Sequence, residues 1–276
     1  MKSQQRKGLK RNTVDKFYTK SFVVNLCMEY IRENIIFSEN DIIIEPSAGN
    51  GSFIEQIKKT CKNYEFYDIE PEFTEIIKKD FLEYKYTKSK EKYEKIHIIG
   101  NPPFGRQASI AIKFIRKCCE FSDSISFILP KSFRKESMKR HFTLNFHLIY
   151  EIDLPDKSFV VNDEEYDVPC ILQIWIKKDK NREVPQKQLP FNFDFVKKEE
   201  NPDISFRRVG VNAGHITKEI INKSQESHYF IKFKNDIDDI IFNKLSSIKF
   251  DFNNTVGPKS ISKQEMIEKF NLILQS

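Results

Sequence analysis

Short apolar runs alternate with amphipathic stretches over the first 150 residues, and this alternation limits the possible folds most. "DIIIEP" (41–46), "YEFYD" (64–68), "KIHIIG" (95–100) and "SISFILP" (124–130) are short, apolar and bounded by turn residues, as buried strands are. "SFVVNLCMEYIREN" (21–34), "GSFIEQIKKT" (51–60), "SIAIKFIRKCCEF" (109–121) and a stretch around 135–145 read as helices. "PEFTEIIKK" (71–79) also reads as a helix, with Pro71 in its first turn. Such an order predicts an α/β chain with a mostly parallel, doubly wound sheet covered on both faces. "FHLIYEIDLP" and "VPCILQIWIKK" have no helix between them, which predicts an antiparallel pair at one edge. The polar stretch "KKDKNREVPQKQLP" (177–190) ends the pattern, and beyond it only "IDDIIFNKLSSI" has helical spacing. The expected organisation is a basic arm (1–16), an α/β domain (17–180) and a small C-terminal substrate-recognition appendage (181–276).

The charge is unevenly placed. Residues 1–16 hold six Lys/Arg against one acid, 17–176 hold 22 against 25, and 177–276 hold 18 against 14. Positive segments flanking a slightly acidic middle suit a polyanion such as nucleic acid. Arg6, Lys7, Lys10 and Arg11 in the arm, and Arg207, Arg208, Lys232 and Lys234 in the appendage, are the candidate phosphate contacts. No run approaches the roughly 18 apolar residues of a membrane span. The basic N-terminus has no apolar stretch behind it, so the expectation is an intracellular protein, cytoplasmic or nuclear, with no membrane partner. The five Cys show neither a CxxC pair nor metal-ligand spacing with the five His, so reduced core thiols and no metal are expected.

In an open parallel sheet, ligands sit outside the carboxyl ends of the strands. After the first strand comes "EPSAGNGSF", where Gly49 and Gly51 permit close backbone approach to a ligand. Ile54 stands where a dinucleotide fingerprint needs its third glycine, which disfavours pyrophosphate. Asp68 ends the next strand and can accept hydrogen bonds from both hydroxyls of a ribose. Asp80 and Phe81 could face an adenine. "IIGNPPF" then ends the 95–100 strand. An exocyclic amine on a nucleobase is a poor nucleophile, because its lone pair is delocalised into the ring. Two fixed acceptors, the Asn101 side-chain oxygen and the Pro102 carbonyl, can hold its N–H groups and shift the nitrogen towards tetrahedral geometry. Pro102 and Pro103 both restrict φ and so keep that carbonyl in place. Phe104 offers a face on which a base can stack.

The series "EPSAGNGSF…YDIEP…DF…NPPF" resembles the class I S-adenosylmethionine-dependent amino-methyltransferases, and among them the N6-adenine enzymes. "DKFYTK" (15–20) precedes the glycine-rich strand and resembles the motif these enzymes place over the methionine end of the cofactor, an order that resembles the gamma class. It departs from the family's commoner Thr-Pro by having Lys20. "ILPKSFRK" and "LPDKSF…YDVPCILQIW" resemble the later strands, so the resemblance covers about 13–177. It implies a Rossmann-like seven-stranded methyltransferase sheet with an antiparallel edge strand. Phe17, Tyr18, Thr19, Glu45, Ser47, Gly49, Gly51, Asp68 and Ile69 would bind S-adenosylmethionine, with Asp80 and Phe81 at its adenine. Asn101, Pro102, Pro103 and Phe104 would form the catalytic motif, with Phe159 stacking the other face of the target base. The implied reaction is methyl transfer to N6 of adenine in DNA. The alternative is adenine in RNA, cap-adjacent or ribosomal. A catalytically silent nucleic-acid-binding subunit is a third reading, and a partner subunit could assist target recognition. Glutamine methyltransferases share an NPP-aromatic motif, but they usually carry a helical N-terminal domain, and the roughly 40 residues before the first strand disfavour that reading.

Overall fold

The computed structural model describes residues 17–85, 92–161, 164–252 and 258–275. Arg6, Lys7, Lys10 and Arg11 lie outside the described residues. The chain divides into two units, 1–183 and 184–276.

The first unit runs β1 (Tyr18–Thr19), α1 (Ser21–Asn34), β2 (Ile42–Glu45), α2 (Ile54–Thr60), β3 (Asn63–Asp68), β4 (Ile77–Lys78) and β5 (Ile96–Gly100). It continues with α3 (Ser109–Cys119), β6 (Ser124–Pro130), α4 (Glu136–Lys139), β7 (Phe146–Asp153), β8 (Phe159–Val161), β9 (Glu164–Tyr166) and β10 (Cys170–Lys177). Seven strands form one sheet in the order β4-β3-β2-β5-β6-β10-β7. The first five are parallel, and β10 runs antiparallel to both β6 and β7 at one edge. This is the class I methyltransferase sheet. The strand order reverses between β2 and β5, so a crevice opens at the carboxyl ends of those two strands. A small antiparallel sheet, β1-β8-β9, lies apart from the large one.

The elements follow from where apolar side chains fall. Every residue of β2, β5 and β6 is buried, which matches their unbroken apolar runs and a sheet covered on both faces. α1 buries Val23, Val24, Cys27, Met28 and Ile31, one stripe of a 3.6-residue helix. The five cysteines are free and buried. No helix among the described residues is long and apolar enough to cross a membrane.

Two expected helices differ. Residues 71–79 form a turn and the two-residue β4. The Glu72 amide donates to the Gly49 carbonyl and the Lys79 amide to the Asp68 carbonyl, so both ends are tied to neighbouring chain rather than to each other. Ile76 is buried, but Phe73 and Ile77 are about half exposed, so no apolar helical face is available to bury. The stretch around 135–145 makes only the single turn of α4.

The second unit is an antiparallel sheet, β11 (Phe193–Val196), β12 (Ile204–Arg207), β13 (Ile216–Thr217) and β14 (His228–Phe233), in the order β11-β14-β12-β13. Two helices complete it, α5 (Asp239–Ser246) and α6 (Lys263–Leu274). Phe193, Phe206, Ile231, Met266 and Phe270 lie at the centre of a core of its own. α6 starts at a capping box in which Ser262 and Glu265 satisfy each other's backbone amides. The first unit ends three residues past the expected 180. Arg182 donates to the carbonyls of Lys139, Phe142, Thr143 and Phe146, and its guanidinium lies 5.3 Å from the Trp175 ring, so it belongs to that unit.

Candidate active site

The carboxyl ends of β2, β3 and β5 open on a cleft of about 1030 Å³. Tyr18, Thr19 and Phe17 line one side, with Glu45, Ser47 and Gly49 from the β2 end. Asp68 and Ile69 follow β3, Asp80 and Phe81 follow β4, and Asn101 and Pro103 follow β5. Gly51, Pro102, Phe104 and Phe159 were also expected at the site, but they do not line this cleft.

The glycine loop is shaped by its backbone. Gly51 has φ of 82°, and a Cβ there would lie 2.8 Å from Ile54 Cδ1. Gly49 has φ of 53°, and a Cβ there would meet the Tyr18 ring at 3.4 Å. Asp68 anchors this loop. Its Oδ2 accepts the Gly49 amide at 2.7 Å, and its Oδ1 accepts the Glu70 amide at 2.8 Å. Each carboxylate oxygen keeps acceptor capacity for a ribose hydroxyl.

Glu45 is 2% exposed, and its Oε2 is buried without a hydrogen-bond partner. Burial, with the charge of Asp68 adding to it, pushes this carboxyl up to about 8. A carboxyl held uncharged beside a cleft is poised for an arriving cation. Tyr18 donates its hydroxyl to Glu72. Asp80 accepts the Leu82 amide at 2.9 Å and caps a short 3-10 turn. Phe81, 1% exposed, packs 5.9 Å from Tyr84 and 6.1 Å from Phe114.

Asn101 is the most sharply set residue. Its Nδ2 donates to the Phe17 carbonyl at 3.1 Å and to Thr19 Oγ1 at 3.2 Å. A backbone carbonyl can only accept, so the amide nitrogen must face β1 and the oxygen must face away from it. That oxygen, Oδ1, is buried and has no partner. Ser47 Oγ donates to the Asn101 carbonyl at 3.3 Å. Phe104 stacks against Phe17 with centroids 6.2 Å apart and planes at 21°. Phe159 is fully buried and meets Phe17 edge-on, at 6.2 Å and 71°. The ring facing Phe104 is therefore Phe17, and Phe159 supports it from the side. No local pattern could show this, because it depends on β1 pairing with β8, Tyr18 opposite Val160 and Thr19 opposite Phe159. Lys20, where the family pattern has proline, donates its amide to the Ser158 carbonyl and pairs with Glu165, ties that a proline could not make.

The chain leaves the motif under strain. Gly105, Gln107 and Ala108 have φ of 69°, 54° and 59°. A Cβ on Gly105 would lie 2.5 Å from Ile110 Cγ1, so only glycine fits. Arg106, Gln107, Lys79 and Glu72 also line the cleft and were not anticipated, although Arg106 and Gln107 directly follow "NPPFG". The four appendage cations do not converge. Arg207, with Arg208 next to it, sits where β12 pairs with His228, at the opposite end of β14 from Lys232 and Lys234. That separation is about 13 Å or more along the strand. Lys234 also pairs with Asp194 at 3.7 Å.

The class I methyltransferase fold takes S-adenosylmethionine as its methyl donor, and this cleft fits that group. It offers an anchored carboxylate for the ribose and an unpartnered buried carboxyl for a positive charge. Among curated proteins, the chain is 26% identical over 210 residues to Protein ENHANCED DOWNY MILDEW 2 of Arabidopsis thaliana, covering 64% of this chain and 16% of that protein. It is 27% identical over 156 residues to an rRNA adenine N-6-methyltransferase of Limosilactobacillus reuteri, covering 51% of this chain and 61% of that one. It is 23% identical over 294 residues to Ribosomal RNA small subunit methyltransferase A of Mycoplasma mycoides subsp. mycoides, covering 95% and 98%. The chain thus spans less than two thirds of the first two relatives. Residues 38–188, more than half of the chain, match the model of the EDM2 methyltransferase-like domain, and the chain belongs to that family.

Proposed function

We propose that this methyltransferase modifies the N6 amine of adenine in nucleic acid. The observation that carries this reading is the Asn101 side-chain oxygen, buried, unpartnered and turned away from β1 by two fixed acceptors. S-adenosylmethionine, when bound, supplies an electrophilic methyl group on a sulfonium. Asp68 would hold its ribose, Asp80 and Phe81 its adenine, and Tyr18, Ser47, Ile69 and the backbone of Gly49 the remainder, with Gly51 shaping the loop and Glu45 near the positive charge.

The target amine would donate one N–H to Asn101 Oδ1 and the other to the Pro102 carbonyl. Both bonds draw the nitrogen out of conjugation and aim its lone pair at the cleft. No general base is needed at that point, since the proton leaves after the nitrogen has become cationic. Phe104 gives the base a stacking face, and Phe17 lies opposite. A base between two parallel rings needs about 7 Å, two contact distances of roughly 3.5 Å. The Phe17–Phe104 centroid distance of 6.2 Å is slightly too small, so Phe17 must yield as the base enters.

RNA is the favoured polymer, because two of the relatives are named for adenine or ribosomal RNA methylation and one of them aligns over nearly its whole length. DNA, which the motif order suggests, is the second reading. A silent binding subunit is disfavoured, because the Asn101 amide is fully oriented and the glycine loop is anchored. The deciding experiment incubates the chain with tritiated S-adenosylmethionine and separate RNA, DNA and protein pools, then digests the nucleic acids to nucleosides. Label is expected in N6-methyladenine, first from RNA. Label confined to protein would overturn the proposal.

A further inference from the structure

The second unit carries a shallow groove of about 460 Å³ between the loop at 212–215 and the chain that follows α5. Lys249 and Lys259 line it together with His215, its rings are Phe250 and Phe252, and among the described residues no carboxylate lines it. Lys218, Lys223 and Lys234 elsewhere in the unit are paired with Asp239, Glu219 and Asp194. Lys249 forms no ion pair among the described residues, and the Lys259 ammonium lies 4.7 Å from the Phe252 ring centroid. Both lysines are exposed.

The groove is built before any ligand arrives. Phe250 is held edge-on against the core residue Phe206, at 5.5 Å and 74°. Gly214, with φ of 98°, lies directly over that ring, and a Cβ there would come 3.1 Å from Phe250 Cδ2. The loop is tied down by the Gly210 amide on the Lys259 carbonyl at 2.9 Å and the Gly214 amide on the Arg207 carbonyl at 2.8 Å. Unpaired ammonium groups beside anchored aromatic rings are what a single strand uses, with phosphates on the cations and a base on a ring.

We infer that this groove binds a single-stranded stretch of the nucleic-acid substrate, with phosphates at Lys249 and Lys259 and a base against Phe252 or Phe250. The inference rests on the nucleic-acid reading above and adds a second contact site to it.

The test uses the full chain and a fluorescein-labelled oligouridylate, read by anisotropy across a salt series. Neutralising two phosphate contacts in K249Q/K259Q should reduce the slope of log affinity against log salt by about 1.4, at about 0.7 per contact on a single strand. F252L keeps apolar volume but removes the ring face, and should weaken binding several-fold with the slope unchanged. Calorimetric S-adenosylmethionine affinity and the far-UV circular dichroism and melting profile of the full chain should stay at the wild-type values in both variants, the first reporting on the first unit and the others on the fold of the second. Wild-type affinity and slope in both variants, with the wild type itself binding and methylating RNA, would overturn the groove while leaving the function intact. Equal competition by polyglutamate would reduce it to a general anion surface and also overturn it. A wild-type chain that neither binds nor methylates any nucleic acid would overturn both.

Discussion

The orientation of Asn101 is decided from β1, through the Phe17 carbonyl and the Thr19 hydroxyl. In the proposed amine site Thr19 would thus be a positioning residue, acting through Asn101. Thr19→Val removes one acceptor of ordinary strength, so kcat should fall about 3- to 10-fold, with the KM for S-adenosylmethionine unchanged, and Thr19→Ser should restore it. Asn101→Ala should abolish transfer while calorimetry finds cofactor affinity nearly unaltered. An Asn101→Ala protein with wild-type turnover would refute the proposed amine site. Asp68→Ala should weaken cofactor binding by roughly 1.5–3 kcal/mol per charge-assisted bond lost, and more if the Gly49 loop slackens with it. Glu45 adds a pH dependence. Its carboxyl titrates near 8 in the fold against an ordinary 4.5, so the folded chain holds a proton that the unfolded chain releases. The stability this gives is fully present below 4.5 and is lost as pH rises through about 8. The cofactor-free chain should therefore melt at lower temperature at pH 8.5 than at pH 6, and Glu45→Gln should reduce that difference. Cofactor affinity should move the other way, rising over the same interval as Glu45 becomes anionic.

At the scale of elements, the opposite ends of the central strands are joined by a buried relay. His97 of β5 lies 3.1 Å from Asp41 Oδ2, just before β2, and 2.7 Å from the Ser124 hydroxyl that begins β6. Burial lowers the His97 pKa below its ordinary 6.5, and Asp41 opposes this without reversing it. A neutral ring satisfies both partners, with Nε2–H donating to Asp41 and Nδ1 accepting from Ser124. The stability from this arrangement is present above pH 6.5 and is lost as pH falls below it. The wild-type melting temperature should drop between pH 7 and pH 5, and His97→Gln should show a smaller drop. Those same strands were legible in the sequence because their residues are buried on both faces, which leaves an unbroken apolar run. α1 was legible because a single stripe faces the core. Residues 71–79 misled because Pro71 and scattered apolar residues imitate a helix start, while the segment's hydrogen bonds go to Gly49 and Asp68. The glycine turn after β2 and the diproline turn after β5 could be placed from spacing, since each directly follows an apolar run in the sequence. The stacking of Phe17 on Phe104 could not, since it follows from the pairing of β1 with β8.

At the scale of the molecule, the chain has two units with separate cores. The second was the least legible part. Its strands β11, β12 and β13 are two to four residues long, too short to establish alternation, and the apolar side chains of its core come from six separate elements and the loops between them. Within it, Phe193, Phe206 and Phe270 form a contacting aromatic set, with Phe270 5.5 Å from Phe193 and 5.9 Å from Phe206. The first unit has the whole S-adenosylmethionine cleft on its own elements, and Arg182 closes its last hydrogen bonds. A chain cut after Glu183 should therefore fold and keep the cofactor affinity of the full protein. One cut after Lys180 loses Arg182 and its hydrogen bonds to four carbonyls near β7, so it should melt at a clearly lower temperature. If the second unit supplies most of the grip on nucleic acid, the 1–183 chain should methylate RNA with a strongly raised KM while kcat at saturation changes little, because Asn101, Phe104 and Phe17 are all retained. Steady-state kinetics on one RNA substrate at two salt concentrations measures this. A raised KM whose salt dependence is also shallower than that of the full chain is the expected result. An unchanged KM would place substrate recognition in the first unit.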